Sequence, residues 1–126
     1  MKIQESAENY LEAILVIGKR KGFVRSIDIA NELSVSKPSV SVAMKSFKNE
    51  GYILVNESGE IILTDKGKEI AEKVYERHNV IANALILMGV SEGTAYEDSC
   101  KIEHVISDET FEKLKDFIIC TKNLLF

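Results

Sequence analysis

The chain has 126 residues, 45% of them hydrophobic, with a single proline, enough for one compact core or two small lobes and too regular for long disordered linkers. No apolar run approaches the length of a membrane span, and the charged N-terminus does not read as a signal peptide. The formal charge of −4 looks wrong for a nucleic-acid binder, but residues 1–75 hold 11 Lys/Arg and 11 Asp/Glu while residues 76–126 hold 5 against 9; a neutral first half can still carry a basic face while the acidic half turns away from phosphates.

Residues 5–18 predict an amphipathic helix. Ala7, Tyr10, Leu11, Ile14, Leu15 and Ile17 fall at helical spacing, and Gly18 with Gly22 brackets its end. Glu5, Glu8, Asn9 and Glu12 take the other side, where an acidic face is ordinarily just solvated. Asn9 and Glu12 are nonetheless i, i+3 neighbours that can offer two oxygen donors. Lys19, Arg20, Lys21 and Arg25 follow as a basic cluster.

Ser26 is expected to cap a short helix with Ile27, Ala30 and Leu33 turned inward. The segment Ser34–Phe47 carries the most specific local signal. Ser36 suits an N-cap, and Pro38 fits only a first helical turn, where its missing N–H costs nothing. Val40, Ala43, Met44 and Phe47 make the inner stripe, leaving Pro38, Ser41, Val42 and Lys45 outside, with Lys37 and Ser39 near the start. A short helix, a tight turn and a second helix with a small, polar, basic face meet the needs of major-groove recognition: no bulk, hydroxyls for phosphates and base edges, a methyl for thymine. An ordinary helical hairpin with a serine-rich surface is the plainer reading of the same residues.

Gly51 ends that helix. Tyr52–Val55 and Glu60–Leu63 then flank Asn56-Glu-Ser-Gly59 as a β-hairpin too small to stand alone. Helix, helix, recognition helix, hairpin is the order of a winged helix-turn-helix. Thr64 is expected to cap a long helix reaching about Met88, charged in its first half and apolar nearly all round in its second, hence buried on more than one side. Gly89 stops it, Ser91 starts another helix, and Ser107 a last one with Phe111, Leu114, Phe117 and Ile118 on one stripe. Leu124, Leu125 and Phe126 form an apolar tail that should need a partner surface.

If the helix after Ser91 continues through His104, Cys100, Glu103 and His104 share one face at i, i+3 and i+4. A thiolate, a carboxylate and an imidazole pointing one way look like part of a metal site, although a surface Glu and His beside a small buried Cys is the commoner arrangement. The chain has only two histidines, and His78 lies on the preceding helix. With Cys120 as the second cysteine, reduced thiols and a cytoplasmic protein are expected.

Ala7-Glu-Asn-Tyr-Leu-Glu12, Ser36-Lys-Pro-Ser-Val-Ser41, Leu63-Thr-Asp-Lys-Gly67, Arg77-His78 and Cys100–Glu109 together resemble the diphtheria-toxin-repressor family of metal-dependent transcriptional regulators. The resemblance implies a homodimer in which a divalent ion ties the first helix to the dimerisation helices. It also implies the short form of the family, without an SH3-like domain. Matched position by position, it makes Glu12, His78, Cys100, Glu103 and His104 metal ligands and puts Asn9 where the family has Asp or Met. Cys100 corresponds to the iron type and Glu12 to the manganese type; the iron type's ancillary positions are Tyr96 and Ala82 here, so a second site is not expected. Asn9 is a weaker donor than a carboxylate and Cys100 a softer one, which leans the site towards Fe²⁺ with Mn²⁺ close behind.

The expected architecture is thus mainly α with a small β-hairpin. A winged helix-turn-helix DNA-binding domain occupies residues 1–70, and a metal-binding and dimerisation domain residues 71–126, linked by a helix from about 65. The expected function is repression of metal-uptake genes, with Fe²⁺ or Mn²⁺ as co-repressor on a pseudo-palindromic double-stranded operator. Arg25, Ser36, Lys37, Pro38, Ser39, Ser41, Val42 and Lys45 are the expected DNA contacts. Two other readings are a winged-helix regulator that answers to thiol oxidation or a small ligand, and a small metal-dependent hydrolase using Glu103. The hydrolase would need an open coordination position beside a cleft, and the chain supplies no glycine-rich or polar loop to form one. An enzyme is therefore not expected.

Overall fold

The computed structural model describes residues 5–125, with side chains from Ser6 to Thr121. The apolar tail Leu124, Leu125 and Phe126 lies outside the described side chains. Six helices and a two-stranded hairpin are described: α1 (Glu5–Lys21), α2 (Ser26–Leu33), α3 (Lys37–Asn49), β1 (Ile53–Val55), β2 (Ile61–Leu63), α4 (Asp65–Leu87), α5 (Glu92–Ile102) and α6 (Asp108–Leu125). They fall into two compact units, Met1–Lys73 and Val74–Phe126, with α4 beginning in the first and continuing into the second.

In the first unit the predicted apolar stripes form the core. Leu11, Ile14, Leu15 and Ile17 of α1, Ile29 and Ala30 of α2, and Val40, Met44 and Phe47 of α3 are all buried. Between α2 and α3 the chain reverses at Ser34, which sits in the left-handed region at φ 55°, and the N–H of Val35 reaches back to the Ala30 carbonyl at 3.1 Å. Ser36 caps α3 as expected, accepting from the Ser39 N–H at 3.3 Å.

The start of α2 differs from expectation. Arg25 is the N-cap residue and Ser26 is already helical; the Asp28 carboxylate reaches back to accept the Arg25 N–H at 3.0 Å, the reciprocal half of a capping box. Ile27 is exposed rather than inward, because the face of α2 that packs on the core is centred on Ile29 and Ala30. Lys21, 2.7 Å from Asp28, and then the Arg25 N–H hold the Asp28 carboxyl below the ordinary carboxylate range. That clamp is complete above the ordinary range and is lost as pH falls through the lowered value.

The hairpin is one residue shorter per strand than the pattern suggested, pairing Ile53 with Leu63, Leu54 with Ile62 and Val55 with Ile61. Ile53 and Ile61 face the core while Leu54 and Ile62 face outward, and the Ile61 N–H is anchored to the Val24 carbonyl at 2.8 Å. The junction to α4 is dense. Thr64 caps the helix through Gly67 N–H at 3.2 Å, donates its hydroxyl to the Gly51 carbonyl at 2.6 Å, and gives its N–H to the Tyr52 carbonyl at 3.0 Å. Gly67 is packed against that same Tyr52 carbonyl with no space for a Cβ.

In the second unit Val74, Ile81, Ala82 and Ala84 of α4, Ala95 and Ser99 of α5, and Phe111 and Ile118 of α6 are buried. Ser107 caps α6, its Oγ accepting the Thr110 N–H at 3.1 Å. In the single chain Phe117 is 67% exposed, and Ile86 and Leu87 at the end of α4, with Met88 just past it, are uncovered. Hydrophobic periodicity specifies a face, but not whether the same chain covers it.

Gly67→Ala should cost about 1–3 kcal/mol, because the added methyl meets backbone that cannot yield. Gly93→Ala, near the start of α5 with open space around it, should instead gain about 0.4–1 kcal/mol. Urea melts of the two variants against the parent check the pair.

Candidate functional site

The centre of the second unit is a carboxylate. α5 stops at Ile102 and Glu103 is its C-cap, with the Glu103 N–H bonded to the Ser99 carbonyl at 3.0 Å and a turn following. The single-face helix expected for Cys100, Glu103 and His104 is therefore corrected: Cys100 is on the last turn, while Glu103 and His104 lie past the helix end. The residues still meet, because the turn folds the chain back instead of extending it. Side-chain ligand atoms of His78, Cys100 and Glu103 lie within 4.8 Å of one another. His78 Nδ1 is 3.2 Å from Glu103 Oε2, and His104 Nε2 is 3.3 Å from Glu103 Oε1.

The Glu103 side chain is fully buried, and neither of its oxygens accepts a hydrogen bond among the described residues. A buried carboxylate ordinarily takes two or three donors, and leaving it without them costs several kcal/mol. Here its surroundings are ring nitrogens and a thiol, which are metal donors as readily as hydrogen-bond partners. An N, S, O donor set of this kind fits a divalent transition metal. Three of the six expected ligands thus come together, with His104 on the other oxygen of the same carboxylate. Asn9 and Glu12 are on α1 in the first unit, both half-buried, with Glu12 Oε2 fully shielded from solvent.

Neighbouring residues absent from the predicted set hold these groups in place. Ser99 is fully buried and donates its hydroxyl to the His78 carbonyl, joining α5 to α4. The Tyr96 ring lies 5.6 Å from the His78 ring, tilted by 35°. Arg77 Nη1 donates to the carbonyls of Glu103 at 3.4 Å and Ile106 at 3.1 Å, and Nη2 pairs with Asp108. Arg77 sits beside His78 in the sequence, but that adjacency carries no sign of where its guanidinium ends. Ala82, the second ancillary position, is buried and offers no donor.

In the first unit, the expected DNA-facing residues other than Arg25 lie on α3 and its N-cap. Lys37, Pro38, Ser39, Ser41, Val42 and Lys45 are all exposed, as are Arg25 and Ser36. The hydroxyls of Ser36 and Ser39 lie 2.8 Å apart and bond to each other, so the first turn is ordered before any ligand arrives. The face is small, polar and basic, and Val42 stands 71% exposed in its middle.

The described residues thus form a winged helix-turn-helix unit followed, along α4, by an all-helical unit that holds a cluster of imidazole, thiol and carboxylate groups. Two family models match: the iron dependent repressor N-terminal DNA binding domain over residues 2–60, and the iron dependent repressor metal binding and dimerisation domain over residues 64–120. The chain belongs to this iron-dependent repressor family, the diphtheria-toxin-repressor family, which comprises DNA-binding regulators and not enzymes.

Solved structures agree. The structure of T. acidophilum IdeR is 24% identical over 92% of this chain, with a TM-score of 0.78. The manganese regulator SloR is 28% identical over 94%, at 0.77, and the metal-dependent transcriptional regulator MtsR 26% identical over 89%, at 0.81. This chain spans about half the length of these three, 54%, 54% and 53% respectively.

Replacing Glu103 with Gln keeps the shape and removes the buried charge. The metal-free variant should melt no lower than the parent, and the upward shift in midpoint on adding Mn²⁺ or Co²⁺ should disappear. Differential scanning calorimetry with and without metal checks both halves.

Proposed function

We propose that the protein is a metal-dependent transcriptional repressor with divalent iron or manganese as co-repressor. The observation that carries this reading is the buried Glu103 carboxylate, which accepts no hydrogen bond, has an imidazole at each oxygen and lies beside the Cys100 thiol. His78, Cys100, Glu103 and His104 would hold the ion. The family resemblance adds Glu12, with Asn9 as a weaker amide donor. A bound dication supplies the positive charge that this carboxylate lacks.

The preference among metals follows from the donors. Cys100 is soft and favours Fe²⁺ over Mn²⁺, whereas the carboxylates and imidazoles accept either. In cells, metal availability also enters the choice. SloR is described as a manganese regulator, which keeps manganese beside iron in the proposal.

Residues 1–70 form the DNA-binding part of the proposal and residues 71–126 the metal-binding and dimerising part. Lys37, Lys45 and Arg25 meet phosphates, Ser36 and Ser39 order the start of α3, and Pro38, Ser41 and Val42 face the base edges. The uncovered side chains of Ile86, Leu87, Met88, Phe117 and Ile119 in the second unit support a homodimer, since an apolar patch of that kind is normally covered by a partner. A two-fold dimer then calls for a pseudo-palindromic operator with half-sites a whole number of helical turns apart. Metal binding that favours the DNA-competent state must be tightened by DNA in return. The genes controlled would be those of metal uptake and the compartment the cytoplasm; no helix among the described residues is long and apolar enough to cross a membrane.

The exposed thiol of Cys100 beside His78 also favours a second reading, a regulator that responds to thiol oxidation. One titration separates the two. With reductant present, a labelled operator should bind weakly in chelator and at least tenfold more tightly once Fe²⁺ or Mn²⁺ is supplied, and His78→Ala should abolish the gain. Undiminished affinity in chelator would overturn the metal switch.

Lys45→Ala should weaken binding to every sequence alike and reduce the slope of log K against log salt by about 1. An unchanged slope in a filter-binding series would place Lys45 outside the interface.

A further inference from the structure

We propose that Arg77 is a positioning residue for the metal centre, pinning the turn that carries Glu103 and His104 to the helix that carries His78. The inference rests on the metal reading above, and every group in it belongs to the second unit.

Arg77 precedes His78 on α4, and its side chain is only 12% exposed. Its guanidinium touches the turn at several points. Nη1 donates to the Glu103 and Ile106 carbonyls, Nη2 pairs with Asp108 at the first position of α6, and Cζ lies 5.3 Å from the centre of the Phe111 ring. One planar group therefore spans the segment from the end of α5 to the first turn of α6.

The sequence creates the need for such a group. α5 ends at Ile102, and a helix end leaves carbonyls without intrahelical donors. The turn beyond it leaves carbonyls that need donors, and a guanidinium carries five donors in a fixed fork. A lysine at the same place would bring one compact charge and no fork. Phe111 covers one face of the guanidinium and is itself buried, which restricts its rotation.

The consequence for the metal centre comes from what Glu103 lacks. Ligating carboxylates are usually oriented by hydrogen bonds to their own oxygens. Glu103 has none among the described residues, so its placement is transmitted through the backbone, and its carbonyl is one of the two that Arg77 holds. Arg77 thus fixes Glu103 relative to His78, the residue next to it on α4. A residue that served stability alone would change melting without changing the site.

The test uses Co²⁺ as the probe in anaerobic titrations of the full chain. The visible d–d bands and the thiolate-to-cobalt charge-transfer band report the ligand geometry. Arg77→Lys should bind Co²⁺ 10–100-fold more weakly than the parent, with shifted d–d bands. Asp108→Ala, which releases only the exposed end of the fork, should show a smaller loss in the same direction. Parent-like affinity and spectrum in Arg77→Lys would overturn the proposal, whatever happens to its melting midpoint. Should Arg77→Lys fail to fold, Asp108→Ala decides on the same two readouts. A parent protein that binds neither Co²⁺ nor Mn²⁺ would instead remove the metal reading itself, an outcome distinct from a parent that binds and variants that do not differ.

Discussion

A carboxylate buried between two imidazoles, with no hydrogen bond among the described residues, is the constraint on which the second unit depends. Glu103 is shielded on all sides, and its oxygens face His78 and His104 at 3.2 and 3.3 Å. In a protein interior such a charge is expensive, and the usual remedies are protonation, a salt bridge or a dipole aimed at it. This fold sets a ring nitrogen at each oxygen, at ion-pair distance, with the Cys100 thiol close by. A dication held there, as proposed, would offset the cost of burying that carboxylate, and such a difference between bound and free states is what lets a binding site act as a switch.

The elements around Glu103 serve its placement. α5 is short because the chain needs to turn at Glu103, and the carbonyls released by that turn are taken by Arg77. Ser99 fastens the same helix to the His78 carbonyl from the opposite direction. Polar groups thus appear in the interior of this unit where the ligands must be oriented, while Val74, Ile81, Ala95, Phe111 and Ile118 supply the apolar packing around them.

The first unit solves a different problem. α3 presents a face of small and basic side chains, and a rigid base for it comes from Val40, Met44 and Phe47 on one side and the hairpin on the other. The hairpin has only three residues per strand, and its backbone bonds to Val24 and Thr64 tie it to the helices. That junction leads into α4 through Thr64, so the same cap that starts the long helix also holds the wing.

The sequence by itself determined the order of elements, the winged helix-turn-helix, the apolar stripes of the first unit and the exposed face of α3. These are local properties: helical spacing, a serine cap, a proline that tolerates only a first turn, and a hairpin turn each act over a few residues. It also marked His78, Cys100, Glu103 and His104, since scarce chemistry-bearing residues stand out in a short chain. Tertiary structure alone decided how those residues meet. The helix ends at Ile102 rather than passing through His104, and no propensity signals that, because the stop is supported from outside by a guanidinium 26 residues earlier in the chain. For the same reason no local signal marked Arg77 and Ser99 as neighbours of the candidate site, and the apolar Phe117 and Met88 stand uncovered in the single chain. Periodicity orients a side chain relative to its own helix; what that side chain meets depends on the other elements of the fold.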